Sequence, residues 1–112
     1  MKIYFNKECS KCLEAFELIK SKGQSVEIVD YLNEPPSVET LKGIVKVLGI
    51  KPIELVRKKE PSFIEKFEGK NFSDNEWLKI LSENPILIER PIIIEGNKAI
   101  IGRPPIKVLN LL

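Results

Sequence analysis

The two cysteines of this chain are the residues whose types and spacing most directly indicate chemistry. Cys9 and Cys12 form a C-x-x-C pair within "NKECSKC", residues 6–12. A pair with this spacing can be a dithiol redox site, half of a metal site, or one nucleophile with an incidental neighbour. A structural zinc site needs about four ligands, and the chain contains two cysteines and no histidine. We therefore expect no metal and favour thiol chemistry.

The predicted position of Cys9 favours it as the reactive thiol. Apolar residues follow it with helical spacing: Cys12, Ala15, Phe16 and Ile19. A helix is therefore predicted over residues 10–21, with Cys9 at its start. Unsatisfied N–H groups and the positive end of the helix dipole lower the pKa of a thiol at that place. Cys12, one turn further along, is either a thiol that resolves an adduct on Cys9 or a buried core residue.

Apolar patterns and turn signals predict the elements that position this pair. The predicted helix lies between two short β-rich runs, "KIYF" (2–5) and "SVEIVD" (25–30). Two strands joined by a helix form a βαβ unit in which the strands are parallel. A helical block follows at about 37–84, and then a β-hairpin that turns at Gly96-Asn97 and a final helix after Pro104-Pro105. The fold class is therefore α/β, with a four-stranded mixed sheet in one domain over 1–112.

Within the helical block, caps and breakers predict the individual helices. Ser37 is a suitable N-cap for a helix that ends at Gly49, and Pro52 opens a short helix that ends near Arg57. A short helix is predicted at about 61–67 and a clearer one at 74–83, with the N-cap at Ser73-Asp74.

Only three arginines occur in the chain: Arg57, Arg90 and Arg103. Counting outward from the predicted hairpin turn places Arg90 directly opposite Arg103. Like charges opposite each other destabilise a sheet, so the pair either turns into solvent or shares an anion.

Composition excludes several classes of function. The chain has 112 residues, 43% apolar and 30% charged, with a net charge of +2, which is typical of an ordinary globular domain. No basic block indicates direct binding of nucleic acid. No apolar run approaches the roughly 20 residues of a membrane span, and the N-terminus lacks the apolar core of a signal peptide. The expected location is therefore a reducing cytoplasm, where a C-x-x-C pair is more often catalytic, redox-sensing or metal-binding than a structural disulfide.

With Cys9 and the three arginines identified, the sequence resembles the arsenate reductase family of the glutaredoxin-coupled type, which has a thioredoxin-like fold. The similarity covers essentially the whole chain in order. It runs through five segments: "IYFNKEC" (3–9), "DYLNEPPS" (30–37), "LVRK" (55–58), "NPILIERPIII" (84–94) and "GRP" (102–104).

The resemblance implies a role for each site residue. Cys9 corresponds to the nucleophile that attacks arsenate, and Arg57, Arg90 and Arg103 correspond to the arginines that surround the oxyanion. Arg57 is also expected to act in catalysis by stabilising the Cys9 thiolate, together with the helix terminus. The backbone after the nucleophile, at Ser10 and Lys11, is expected to help hold the anion. Pro91 corresponds to a proline that is typically cis and faces the cysteine.

The resemblance also implies the partners. No bound cofactor is expected, because glutathione and then glutaredoxin resolve the adduct in this family. Cys12 suggests instead that an internal disulfide forms and that a thioredoxin-like protein recycles it. The first alternative is an Spx-type redox regulator that binds the RNA polymerase α subunit, since such proteins carry a C-x-x-C at this place. The second alternative is a general thioredoxin-like disulfide reductase.

Overall fold

A four-stranded mixed sheet forms the frame of the compact unit that contains both cysteines and two of the three arginines. The computed structural model describes every residue from Met1 to Leu112. Its strands are β1 (Lys2–Tyr4), β2 (Glu27–Val29), β3 (Ile92–Glu95) and β4 (Lys98–Ile101). The strand order is β2-β1-β3-β4. β1 pairs with β2 in parallel and with β3 antiparallel. These pairings confirm the predicted βαβ unit and the mixed sheet.

The helices also lie close to their predicted positions. The α-helices are α1 (Ser10–Ser21), α2 (Val38–Leu48), α3 (Pro61–Lys66) and α4 (Asp74–Glu83), and 3-10 helices cover Pro52–Leu55, Pro85–Leu87 and Pro105–Leu111. The predicted C-terminal helix is therefore present in the tighter 3-10 form. It begins with an i to i+3 bond from the Lys107 N–H to the Pro104 carbonyl oxygen (3.0 Å), the bond that defines 3-10 geometry. None of the helices combines the length and apolar character needed to cross a bilayer.

The chain divides into two compact units. One contains Met1–Glu34 together with Arg90–Leu112, and the other contains Pro35–Glu89. The second unit matches the predicted helical block at about 37–84. That the whole chain is one domain stays a prediction.

The hairpin has the register that its turn predicts. Ile92 pairs with Ile101, Ile93 with Ile100, and Glu95 with Lys98, which leaves Gly96-Asn97 as a two-residue turn. Gly96 has a φ of 60°, a value that favours glycine and that such a turn requires at its first position. The pairing continues past the strands, because the Gly102 N–H donates to the Pro91 carbonyl oxygen at 2.8 Å. Arg90 and Arg103 therefore leave the hairpin at the same end.

The apolar face of α1 packs on this sheet. Ile3, Ala15, Ile19, Ile93 and Val108 form a cluster of fully buried side chains. They come from β1, α1, β3 and the C-terminal 3-10 helix. Because the buried stripe of α1 is anchored in this cluster, the N-terminal end of the helix has a defined position beside the open end of the hairpin.

In the second unit, local hydrogen bonds define the helix ends. Ser37 Oγ accepts from the Thr40 N–H (3.1 Å) at the start of α2, and Gly49 ends that helix with a φ of 71°. Ser73 and Glu76 form a reciprocal capping box at the start of α4, which satisfies two N–H groups that the helix leaves unpaired. The N-cap predictions at Ser37 and Ser73 are confirmed.

Candidate active site

Cys9 stands immediately before the first residue of α1. Its backbone is extended, with φ −96° and ψ 115°, which is the conformation of an N-cap residue. The Cys9 carbonyl oxygen accepts the first helical bond, from the Leu13 N–H (3.1 Å), and the Cys9 N–H donates to the Asn6 carbonyl oxygen (2.9 Å). The predicted position at the helix start is confirmed. The residue is 5% exposed. Only a small molecule, or a thiol brought directly to its sulfur, can therefore reach it.

Asn6 orders the turn between β1 and α1, and the sequence analysis did not identify it. Its side-chain oxygen accepts from the Glu8 N–H at 3.0 Å, and its backbone interacts with the Cys12 sulfur. The sequence does contain a signal for this turn. Asn side chains often accept a hydrogen bond from the backbone N–H two residues ahead, and Asn6 precedes Glu8 by two residues.

Arg103 contacts the Cys9 sulfur and the backbone of Arg90. Its Nη2 lies 3.9 Å from Cys9 Sγ, and its Nε donates to the Arg90 carbonyl oxygen at 2.6 Å. That second bond holds the guanidinium in place and explains how two arginines at one end of a hairpin coexist. The hairpin register predicted that the two arginines turn into solvent or share an anion; a bond from one side chain to the backbone of the other was not predicted.

Arg90 also reaches Cys9, and much of its guanidinium is unpaired. Its guanidinium lies close enough to Cys9 to lower the pKa of that thiol through hydrogen bonding and charge. Its Nε and Nη1 are buried and have no hydrogen-bond partner. Buried polar atoms are nearly always paired, and an unpaired donor costs about 1–3 kcal/mol. Two such donors beside a sulfur therefore form a site suited to the oxygens of an anion.

The open end of the hairpin is tightly built around Pro91. The peptide bonds Arg90–Pro91 and Arg103–Pro104 are both cis. The first confirms the cis proline that the family resemblance implied, and the second was not predicted. A Cβ added to Gly102 would lie 3.0 Å from both Pro91 Cγ and Ile93 Cδ1. A side chain here would force Pro91 and Ile93 to move by a few tenths of an ångström, so glycine is favoured where the residue before Arg103 packs against the residue after Arg90.

The surroundings of Cys9 favour its thiolate. Burial raises the pKa of the Cys9 thiol, but it is outweighed by hydrogen bonds from the Cys12 backbone and side chain and by the bond and charge of Arg90, so the pKa lies below its usual value. The Cys9 sulfur itself makes no capping hydrogen bond to the first turn of α1. A lowered pKa at a helix start beside a cation is typical of reactive cysteines.

Cys12 has the opposite environment. It is a free thiol, as Cys9 is, and its exposure is 0%. Burial, followed by the hydrogen bond to Cys9 and the charge on that thiolate, raises the pKa of Cys12 to about 12. The sequence left two interpretations of Cys12 open, a buried core residue and a resolving thiol. Its position on the buried stripe of α1 agrees with a core residue, and the resolving role stays a prediction.

Arg57 lies in the second unit. Its Nη1 donates to the Ile86 carbonyl oxygen (2.9 Å) and forms an ion pair with Glu60 Oε2 (3.2 Å). Its backbone N–H donates to the Leu87 carbonyl oxygen (2.7 Å). These bonds hold the arginine firmly within its own unit, and its part in an oxyanion site stays a prediction.

Ser10 and Lys11, the first residues of α1, border a mainly apolar groove. The groove has a volume of about 890 Å³, and its walls include Leu13, Pro104 and Ile106. Neither Cys9 nor Arg90 lines it. Two of its lining residues are sequence neighbours of site residues: Ser10 follows Cys9, and Pro104 follows Arg103. Binding of an anion by Ser10 and Lys11 stays a prediction.

The fold and this thiol centre define the class of protein. A mixed four-stranded sheet with a cysteine at the start of its first helix, superposing closely on a known arsenate reductase, makes it a thioredoxin-like thiol oxidoreductase. The chain belongs to the ArsC family, whose model matches residues 4–111.

Individual relatives agree with this assignment. An arsenate reductase from Haemophilus influenzae is 41% identical over 112 residues, which cover 98% of this chain and 97% of that protein. One from Neisseria meningitidis is 34% identical over 106 residues, covering 93% and 91%. The structure of an arsenate reductase from Vibrio cholerae superposes with a TM-score of 0.94 at 37% identity, covering 100% of this chain and 98% of that one. None of these names indicates a polymerase-binding regulator, so the RNA polymerase α subunit is not supported as a partner.

Proposed function

We propose that this protein reduces arsenate, with Cys9 as the nucleophile and with Arg90 and Arg103 holding the oxyanion. The observation that carries the proposal is the convergence of both guanidiniums on Cys9 Sγ, together with the two unpaired donors of Arg90. Arginine donors match the oxygens of a tetrahedral anion, and they stabilise the negative charge that develops as the sulfur attacks.

In the first step, Cys9 Sγ attacks arsenic and forms a sulfur–arsenic bond while one arsenate oxygen leaves as water. An external thiol then attacks this adduct. The electron pair of the breaking bond passes to arsenic, which leaves as arsenite, and sulfur is oxidised to a mixed disulfide. A second thiol reduces that disulfide and restores Cys9. Overall, arsenate and two thiols give arsenite, one disulfide and water.

The external thiol in this proposal is glutathione, and glutaredoxin then reduces the mixed disulfide. The environment of Cys12 supports an external rather than an internal thiol, because a buried, protonated sulfhydryl is a poor nucleophile. Thioredoxin is the alternative donor and would be preferred if a Cys9–Cys12 disulfide formed. Either donor requires a reducing compartment.

Arg57 is proposed as the third arginine of the oxyanion site, on the strength of the family resemblance. Its bonds to Glu60 and to the Ile86 carbonyl support this role in one respect: they leave the guanidinium with little freedom. A side chain that is already ordered loses less entropy when an anion binds.

The test is arsenite formation by the purified protein with glutathione and glutaredoxin, compared with thioredoxin and its reductase. Removing a single oxyanion-binding donor costs about 10²–10³ in rate, so Arg90→Ala and Arg103→Ala are each expected to lose at least that factor. Lys98→Ala, which removes an exposed cation from β4, is the matched control and keeps its activity. Equal activity in the arginine variants, or faster reduction of a model disulfide than of arsenate, would contradict the proposal.

A further inference from the structure

The apolar groove that Ser10 and Lys11 border has no part in the chemistry proposed for Cys9. It lies between one flank of α1 and the start of the C-terminal 3-10 helix, and its volume is about 890 Å³. Leu13 and Ile106 line it from the two sides, and they are 49% and 56% exposed. Large apolar side chains that share one exposed groove are typical of an interaction surface.

The composition of the groove excludes the small anions of the reaction as its ligands. Arsenate needs several hydrogen-bond donors, whereas the walls of the groove are mainly apolar. Its charged side chains are Lys11, Glu14 and Glu17, so two carboxylates stand against one ammonium. Glutathione is itself an anion and is repelled by this balance. The groove suits a partner that presents apolar side chains together with a positive charge.

Both walls of the groove connect directly to the thiol centre. On one wall, the Leu13 N–H donates to the Cys9 carbonyl oxygen at 3.1 Å. On the other wall, Pro104 follows Arg103, whose Nη2 lies 3.9 Å from Cys9 Sγ. Because Cys9 is only 5% exposed, a protein that brings its own thiol to this sulfur has to lie against the surface around it. The groove is continuous with that surface.

We propose that this groove is the docking surface for glutaredoxin, the protein that reduces the mixed disulfide between Cys9 and glutathione. The inference rests on the proposed function and adds the place where the partner binds. In the step that docking serves, a glutaredoxin thiolate attacks the glutathione sulfur and forms a disulfide with it. The bond between the glutathione sulfur and Cys9 breaks, and its electron pair leaves on Cys9 as the thiolate.

The apolar and the charged side chains of the groove have different tasks in this docking. Leu13 and Ile106 would be buried in the complex, so they determine how tightly glutaredoxin is held. Glu14 and Glu17 are exposed on α1, where they attract a basic partner and speed its association. The two contributions can be separated, because only the charged one weakens as salt is added.

The experiment starts from the full-length protein with glutathione on Cys9, prepared with oxidised glutathione and checked by intact mass. Release of glutathione is followed at several concentrations of purified glutaredoxin. Leu13→Ser and Ile106→Ser are each expected to lower kcat/KM for glutaredoxin by at least about 5-fold, because each removes apolar area that docking buries. Glu14→Lys combined with Glu17→Lys is expected to lower it about 10-fold at low salt and far less at high salt.

Ile64→Ser is the matched control, because Ile64 is 50% exposed and does not line the groove. It should keep the wild-type kcat/KM. Reduction of the adduct by dithiothreitol, and alkylation of the free Cys9 thiol by iodoacetamide, should be equal in all these variants, since neither small reagent has to dock.

An unchanged kcat/KM in Leu13→Ser and Ile106→Ser would overturn the proposal, as would an equal loss of rate with dithiothreitol. Failure of glutaredoxin to reduce the wild-type adduct would also overturn it. A dimer of this chain that Leu13→Ser dissociates would assign the groove to a second copy instead. No step of this assay uses arsenate, so arsenate turnover can fail, and refute the proposed function, while the docking result stands.

Discussion

Arg90→Met is expected to stabilise the protein while abolishing its activity, because the guanidinium is poorly satisfied in the folded chain. Methionine keeps the length and apolar contacts of the side chain and removes its donors. Two buried, unpaired donors, Nε and Nη1, destabilise the folded state by about 1–3 kcal/mol each. Against this, the variant loses the interaction by which Arg90 favours the Cys9 thiolate, and a hydrogen bond to a charged group contributes about 1.5–3 kcal/mol. Central values leave a net stabilisation of about 2 kcal/mol.

The assay is urea unfolding at neutral pH, with the midpoint compared at an unchanged slope. Arg103→Met is the matched control. Its exposed side chain already pairs with the Arg90 carbonyl oxygen, so its loss should destabilise the protein by about 0.5–1.5 kcal/mol. Added arsenate should raise the midpoint of the wild type and leave that of Arg90→Met unchanged, since a ligand stabilises only the state that binds it.

If Arg90→Met were instead destabilised by more than about 1 kcal/mol, the guanidinium would be satisfied in the folded protein, and the central argument for an anion site would fail. A stabilised Arg90→Met that still responds to arsenate would refute the placement of the anion at Arg90.

Three further predictions follow from the same geometry. Gly102→Ala places a Cβ 3.0 Å from Pro91 and Ile93, so it should lower the free energy of unfolding by about 1–3 kcal/mol and slow the alkylation of Cys9. Gly43→Ala is the control, because nothing lies within 4 Å of its added Cβ, and it should neither lower the free energy of unfolding nor slow the alkylation. The raised pKa of Cys12 means that the native state holds a proton which the unfolded chain loses above about pH 9. The free energy of unfolding should therefore fall as pH rises from 9 towards 12. Urea unfolding at several pH values should show this decline in the wild type and not in Cys12→Ala. Arg57→Ala should lower arsenate turnover with little change in the pH profile of Cys9 alkylation, because Arg57 is not among the groups that lower the Cys9 pKa; an unchanged turnover would remove it from the oxyanion site.

Much of the scaffold could be predicted because local signals and packing agree. The two-residue turn at Gly96-Asn97 determines the hairpin register, and that register alone brings Arg90 beside Arg103. The apolar stripe of α1 and the polar turn before it place Cys9 at a helix start. Each of these predictions depends on backbone geometry that a few residues decide.

The details of the site could not be read in the same way, because they depend on how side chains from distant parts of the chain meet. Cys12 has the same spacing whether it is a resolving thiol or a buried core residue, and its complete burial depends on packing that the spacing does not show. The bond from Arg103 to the Arg90 carbonyl depends on the side-chain rotamer. The second cis peptide bond, at Pro104, has no sequence signal that sets it apart from any other proline.

The most direct test of the account is the mass of the intact protein after arsenate and glutathione are added without glutaredoxin. The account predicts a single glutathione adduct on Cys9 that forms only when arsenate is present and is absent in Cys9→Ser. No arsenate-dependent change in mass, or a Cys9–Cys12 disulfide in place of the adduct, would contradict it.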